Sequence, residues 1–222
     1  MSGTSERGDK RTSGVGSNAP RRAVFGGTFD PPHVGHLILA EWVRVALDLE
    51  EVVFAPAAQP PHKQGRVFAP ALHRVMMVQL AIASNPCFSL SLVDVNRPGP
   101  HYTADSVRLL SAQWGGPDTF FYLIGADSLV DLPTWHQPQE ILRACPLVVV
   151  DRPGVHVDLE RLEQVIPGVR QRVVRVSAPL VGVSSTEIRR RVATGRSIKH
   201  LVPEAVEAYI REHGLYRVRP NG

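Results

Sequence analysis

The segment Gly26-Gly27-Thr28-Phe29-Asp30-Pro31-Pro32-His33-Val34-Gly35-His36 sets two imidazoles three residues apart at the start of a helical pattern. Ring N–H groups, glycine-freed backbone amides and the positive end of a helix all attract anions, and here they converge on one short stretch. The chemistry that suits such a point is the handling of a polyphosphate. An isolated His-x-Gly-His recurs by chance and is explained by a helix cap beside a surface histidine. The eleven-residue setting between strand and helix gives it weight.

Other chemistry-bearing groups follow. Pro60-Pro61-His62-Lys63 is a rigid turn presenting an imidazole and an ammonium, read as a phosphate contact although an exposed solubilising loop has the same look. Arg97-Pro98-Gly99-Pro100-His101-Tyr102-Thr103 is a further group of unusual residues, after the third strand. In Gly125-Ala126-Asp127 the glycine lets a sugar approach and the carboxylate accepts hydroxyl protons, which suits a ribose; Asp127 equally suits a helix N-cap. Trp135, between the polar Thr134 and His136, is read as partly exposed and able to stack. Near the end, Ser184 and Glu187 have capping-box spacing. Ser185, Thr186 and Arg189 exceed what a cap requires and make a second anion site.

These groups need elements to carry them. Apolar, β-prone runs predict strands over Ala23–Phe25, Val52–Ala55, Phe88–Val93, Phe120–Ile124, Leu147–Val150 and Val173–Val176. Helical patterns lie near Leu37–Leu47, Ala71–Ala83, Ala104–Gln113, Pro138–Arg143 and Leu159–Val165, with a further helix opening at Ser184. Nearly continuous apolar strands alternating with helices predict a doubly wound parallel α/β sheet in a single domain. Ligands of such sheets bind beyond the carboxyl ends of the strands, where the chemistry-bearing turns fall.

Composition bounds the alternatives. A chain of 222 residues, 43% hydrophobic, is long enough for one substantial core. The formal net charge of +4 is modest, and the densest basic run, Arg189-Arg190-Arg191, sits on a predicted helix without interleaved aromatics, which argues against a nucleic-acid partner. The two cysteines, Cys87 and Cys145, lack metal-ligand spacing and read as reduced thiols of a cytoplasmic protein. No apolar stretch approaches membrane-spanning length. The sequence has no Gly-x-x-x-x-Gly-Lys-Ser/Thr loop and no internal repeat. Met1 to Pro20, rich in Ser, Gly and charge, is expected to be disordered, and its Gly14-Val15-Gly16-Ser17-Asn18-Ala19 only imitates a dinucleotide fingerprint, since no strand precedes it.

Taken in order from about Ala23 to Tyr216, the His-x-Gly-His segment, Pro-Pro-His-Lys, Gly-Ala-Asp with its following Trp, and Ser-Ser-Thr-x-Ile-Arg resemble the bacterial nicotinate-mononucleotide adenylyltransferases. The resemblance implies a Rossmann-like nucleotidyltransferase fold over residues 21–218, C-terminal helices included. It also implies transfer of AMP from ATP to nicotinate mononucleotide, giving deamido-NAD and pyrophosphate. Carried over, His33, His36 and Arg189 act on the triphosphate, with His36 at the α-phosphate. Gly26, Gly27, Thr28 and Phe29 contact ATP closely, Gly125 and Asp127 hold the adenosine side, and Ser185 and Thr186 join Arg189 on the leaving pyrophosphate. Asp30, His62, Lys63, Tyr102, Thr103 and Trp135 face the mononucleotide. No residue is assigned as a metal ligand; magnesium is expected to arrive held mainly by ATP phosphates and water. Oligomeric state stays open, a homodimer among the options. Rival readings are a His-x-Gly-His nucleotidyltransferase acting on nicotinamide mononucleotide or phosphopantetheine, a class I aminoacyl-tRNA synthetase, which this chain is too short to be, and a non-catalytic ATP-sensing module. Removing Met1 to Pro20 should leave melting temperature and turnover nearly unchanged, because the segment has little apolar surface to bury. A clear loss of either on truncation contradicts that.

Overall fold

The computed structural model describes residues 21–58, 69–151 and 154–217. Six strands, β1 (Arg22–Gly27), β2 (Glu51–Pro56), β3 (Phe88–Leu90), β4 (Phe121–Gly125), β5 (Leu147–Val150) and β6 (Val173–Val176), form one sheet in the order β3-β2-β1-β4-β5-β6. Every pairing is parallel. Among the described residues, eight α-helices connect and cover them: α1 (Val34–Ala46), α2 (Ala71–Ile82), α3 (Thr103–Gln113), α4 (Ala126–Val130), α5 (Pro138–Ala144), α6 (Leu159–Val165), α7 (Ser185–Ala193) and α8 (Glu204–Glu212).

Period-two alternation sorts the strand side chains onto two faces. Ala23, Phe25, Val52, Phe54, Leu123 and Val148 pack under α1 and α2, against Ala40, Val43, Val78 and Ile82. Val24, Val53, Ile124, Leu147 and Val149 point the other way, onto Val107 and Leu110 of α3, Ile141 of α5 and Leu162 of α6. With both faces covered, the strands read as unbroken apolar runs, as the sequence predicts for a doubly wound sheet. A third cluster joins Met77 and Ala81 of α2 to Ile188 of α7 and to Val206 and Ile210 of α8, so the C-terminal helices dock on α2.

Two boundaries differ from expectation. The third strand ends at Leu90 rather than Val93, because Ser91 turns the chain and its Oγ accepts from the Val93 amide at 3.3 Å. The short helix α4, five residues long, starts directly from β4. Its N-cap is Gly125, so Asp127 lies inside the first turn and is not the cap. Both cysteines are free thiols, Cys145 buried and Cys87 half-buried. Among the described residues, no helix is long and apolar enough to cross a membrane.

Candidate active site

The strand order reverses direction between β1 and β4, and this switch point opens a crevice at their carboxyl ends. Gly26 and Gly27 end β1 there, and Gly125 ends β4. Close approach explains Gly26: a Cβ on it would lie 1.9 Å from the Tyr122 hydroxyl on the neighbouring strand. A Cβ on Gly125 would meet nothing within 4 Å, which leaves room beside the exposed Asp127 for a ligand.

Helix α1 begins at Val34, with His33 as its N-cap. The His33 backbone N–H donates to Nδ1 of His36 at 3.1 Å. That use of Nδ1 as acceptor puts the proton of a neutral His36 ring on Nε2, a donor of the kind a phosphate oxygen accepts. The two imidazoles stack with centroids 3.6 Å apart, and Phe29 meets His36 edge-on at 5.1 Å. Phe29 adopts a left-handed φ of 49°, an unfavourable conformation for a bulky residue, and its buried ring packs on Phe25 and Phe54. A Cβ on Gly35 would lie 3.0 Å from His33 Nδ1, so a larger residue there would press on that imidazole.

Burial alone drives the His33 pKa down to about 4 from its ordinary 6.5, so the ring is neutral at physiological pH. Because the folded state resists this proton, the associated stability is complete above pH 6.5 and is lost as pH falls from there toward 4. The loss is on the order of 3 kcal/mol. Asp30 acts in the opposite sense: burial raises its pKa against the lowering effects of Tyr216, the Ala69 amide, Arg189 and Arg74, so its contribution declines as pH rises through its folded value. His33→Asn should therefore flatten the drop in melting temperature between pH 6.5 and 4.5. An unchanged slope would show that another group carries the acid sensitivity.

Helix α7 carries the residues expected at the second anion site and leans on the loop that carries the first group. Ser184 caps it by accepting from the Glu187 amide at 3.2 Å. The Glu187 carboxylate pairs with Arg190 and Arg191, so only half of the capping box forms. Ser185 Oγ donates to the Pro31 carbonyl at 2.8 Å, and Arg189 Nη1 to the Asp30 carbonyl at 2.7 Å. Thr186 Oγ1 accepts from Arg189 Nη2 at 3.3 Å. The two segments expected to bind anions, about 150 residues apart in sequence, are thus hydrogen-bonded to each other.

Beside that surface lies a cavity of about 220 Å³ lined in part by Gly26, Gly27, Thr28, Tyr102, Thr103 and Trp135. The structure brings these six expected residues together. Asp94, Ser106, Tyr122, Ser128 and His136 also line it and were not expected from sequence, as does His101, which was singled out only as part of its turn. The Tyr102 and His136 rings stack at 4.2 Å. Asp94 accepts from Ser106 Oγ at 2.6 Å and pairs with Arg97 at 2.9 Å, and Arg97 reaches the Pro100 carbonyl at 3.1 Å, which fixes the turn leading to Tyr102.

Two expectations need correction or fall outside view. Asp30, expected to touch substrate, is 2% exposed, and its Oδ1 accepts from the Ala69 amide at 3.2 Å and the Tyr216 hydroxyl at 2.6 Å. In this arrangement its carboxylate is part of the scaffold and has no path to the crevice. His62 and Lys63, like Met1 to Pro20, lie outside the described residues. The described residues on either side of 59–68 are held by Arg74, a buried arginine on α2. Its guanidinium donates to the carbonyls of Thr28 (2.9 Å), Ala57 (2.6 Å), Ala58 (2.7 Å) and Ala69 (3.1 Å). The sequence signal for Arg74 was a lone cation on the apolar side of a helix among Val75, Met77 and Val78.

Comparison with known proteins agrees with this geometry. The family model described as "Cytidylyltransferase-like" matches residues 24–191. The "Probable nicotinate-nucleotide adenylyltransferase" of Thermomicrobium roseum is 51% identical over 197 residues, covering 89% of this chain and 92% of that protein. A protein of the same name from Roseiflexus sp. is 46% identical over 201 residues, covering 90% of this chain and 100% of its own. The structure of the Plasmodium falciparum nicotinic acid mononucleotide adenylyltransferase complexed with NaAD has the same fold, with a TM-score of 0.71 at 17% identity over 88% of this chain and 97% of that one.

Proposed function

Because the chain belongs to the cytidylyltransferase-like family, and within it to the nicotinate-nucleotide adenylyltransferases, we propose that it transfers AMP from ATP to nicotinate mononucleotide, releasing pyrophosphate and giving deamido-NAD. The observation that carries this reading is that Ser185 and Arg189 bond the 30–31 carbonyls of the loop leading to His33 and His36, whose preceding Gly26, Gly27 and Thr28 line an aromatic cavity. A triphosphate fits the first, a pyridine ring the second, and the crevice between them is where their phosphates meet.

The nucleophile is the mononucleotide's phosphate oxygen, already ionised at neutral pH, so no general base is needed. It attacks the α-phosphorus of ATP, a new P–O bond forms, and the bond to the bridging oxygen of pyrophosphate breaks. Catalysis then consists of aligning two anions and balancing the charge that grows in the transition state. His36 Nε2–H serves the α-phosphate, and neutral His33 holds the His36 ring in place and adds a donor. Arg189, Ser185 and Thr186 take the leaving pyrophosphate. Gly125 and Asp127 take the adenosine side, Thr103 and Trp135 the pyridine ring, and Lys63 with His62 the acceptor phosphate. These donors are ring N–H, hydroxyl, guanidinium and amide groups, a set suited to phosphate oxygens and not to a hard cation. ATP is accordingly read as entering with its own magnesium, coordinated by phosphate and water.

Pyrophosphate release from ATP and magnesium, measured with nicotinate mononucleotide, nicotinamide mononucleotide and phosphopantetheine in turn, tests the assignment. Fastest release with the nicotinate compound is expected. Fastest release with phosphopantetheine would move the chain to a sister activity. ATP binding without release under any acceptor would make it a sensing module.

A further inference from the structure

Asp30 lies at the junction of four segments. Its backbone carbonyl, with that of Pro31, receives Arg189 and Ser185 of α7. Its Oδ1 receives the Ala69 amide that leads into α2 and the hydroxyl of Tyr216, which follows α8 at the far end of the described chain. Its Oδ2 lies buried, 4.0 Å from Arg189 Nη1 and without a hydrogen bond among the described residues. The hydrogen bonds that orient this side chain are both on Oδ1, and the Tyr216 hydroxyl, at 2.6 Å, is the shorter of the two. Burial and the neighbouring Asp30 charge raise the phenol's pKa, so the hydroxyl stays a donor. The Tyr216 backbone is left-handed at φ 63°, a conformation that packing against α2 must hold, and the hydroxyl sits 3.9 Å from Met77 Sδ of that helix.

We propose that Tyr216 is a positioning residue for the triphosphate site: by anchoring the Asp30 side chain, it fixes the 30–31 carbonyls that aim Arg189 and Ser185. The proposal rests on the adenylyl-transfer reading for the identity of the triphosphate as ATP. The site's two halves are separate enough to distinguish positioning from general support. Asp30, Pro31 and α7 serve the triphosphate half, whereas the cavity around Tyr102, Thr103 and Trp135 contains none of them. Loss of the hydroxyl should therefore affect ATP and spare the mononucleotide.

The test compares Tyr216→Phe with Tyr209→Phe. Tyr209, on α8, gives up a similar hydroxyl contact to α2, with His73 Nδ1 at 2.9 Å, but touches nothing in the loop. Steady-state kinetics and ATP calorimetry with magnesium, acceptor absent, are read on the wild type and both variants, with melting temperatures alongside. Tyr216→Phe is expected to lower kcat/KM for ATP by about 10-fold and to weaken ATP binding several-fold, since misplacement of about an ångström costs on the order of 10²-fold and a partial shift costs less. Its KM for nicotinate mononucleotide should not change, and Tyr209→Phe should alter neither ATP parameter. ATP parameters within twofold of wild type in Tyr216→Phe, or an equal loss in Tyr209→Phe, would overturn the proposal. A wild-type protein without turnover would count against the reaction assignment alone, and the three ATP affinities would still decide the role of Tyr216.

Discussion

Nicotinate mononucleotide is expected to outperform nicotinamide mononucleotide by roughly 10²- to 10⁴-fold in kcat/KM under identical ATP and magnesium. Stacking on Trp135 gives affinity for either pyridine ring and little choice between them. Choice requires N–H donors aimed at the ring substituent. The Trp135 amide is already donated to the Leu132 carbonyl at 3.0 Å, so the donors have to come from elsewhere. Helix α3 begins at Thr103 on the cavity wall, and its N-cap Tyr102 provides no side-chain cap. The Asp105 and Ser106 amides already donate to the Tyr102 carbonyl, which leaves the Thr103 and Ala104 amides, at the helix's positive end, as the candidate donors for a carboxylate. The NH₂ of the amide would meet donors with a donor, leaving buried groups unpaired at about 1–3 kcal/mol each. Trp135→Ala should raise KM for both compounds and change their ratio far less. Equal specificity constants in the wild type, or a preference for the amide, would remove the nicotinate assignment and leave adenylyl transfer intact.

His36→Ala is expected to lower kcat by roughly 10²-fold or more, the scale of removing one donor that serves developing charge. The ring is held for that task on three sides: stacked on His33, flanked by Phe29, and bonded at Nδ1 to the His33 amide. A donor fixed before the substrate arrives needs little reorganisation at the moment of reaction. The alanine variant loses the bond from the His33 amide but keeps the helix, because α1 is held by the buried packing of Ala40 and Val43. Circular dichroism should confirm that it folds. Near-wild-type turnover in a folded variant would mean that the motif is structural.

What was legible in the sequence was local. Buried strands of a parallel sheet are continuous apolar runs, so all six appear at their expected places, and the third is misjudged only where Ser91 redirects an apolar run into a turn. The His33–His36 loop and the Ser185–Arg189 turn each carry their chemistry within one short segment, and each is visible before any fold is known. Helix α4 was hidden because five residues are too few to show a period. The cavity's other residues were hidden for a different reason. Asp94, His101 and His136 become neighbours only when the turns after β3 and β4 fold against each other, and no spacing along the chain encodes that meeting. Asp30 was misjudged in the same way: its motif placed it beside the substrate, but contacts with Ala69 and Tyr216, distant in sequence, turn the carboxylate inward.

The central claim is that the phosphorus attacked is the α-phosphorus of ATP and that the attacking group is the mononucleotide's phosphate. Following ATP labelled at its α-phosphorus in one incubation with nicotinate mononucleotide and magnesium tests both parts at once. The label is expected in deamido-NAD, with one unlabelled pyrophosphate released per labelled dinucleotide formed. Label recovered in ADP or AMP, or left in ATP while the mononucleotide stays unchanged, would contradict the account.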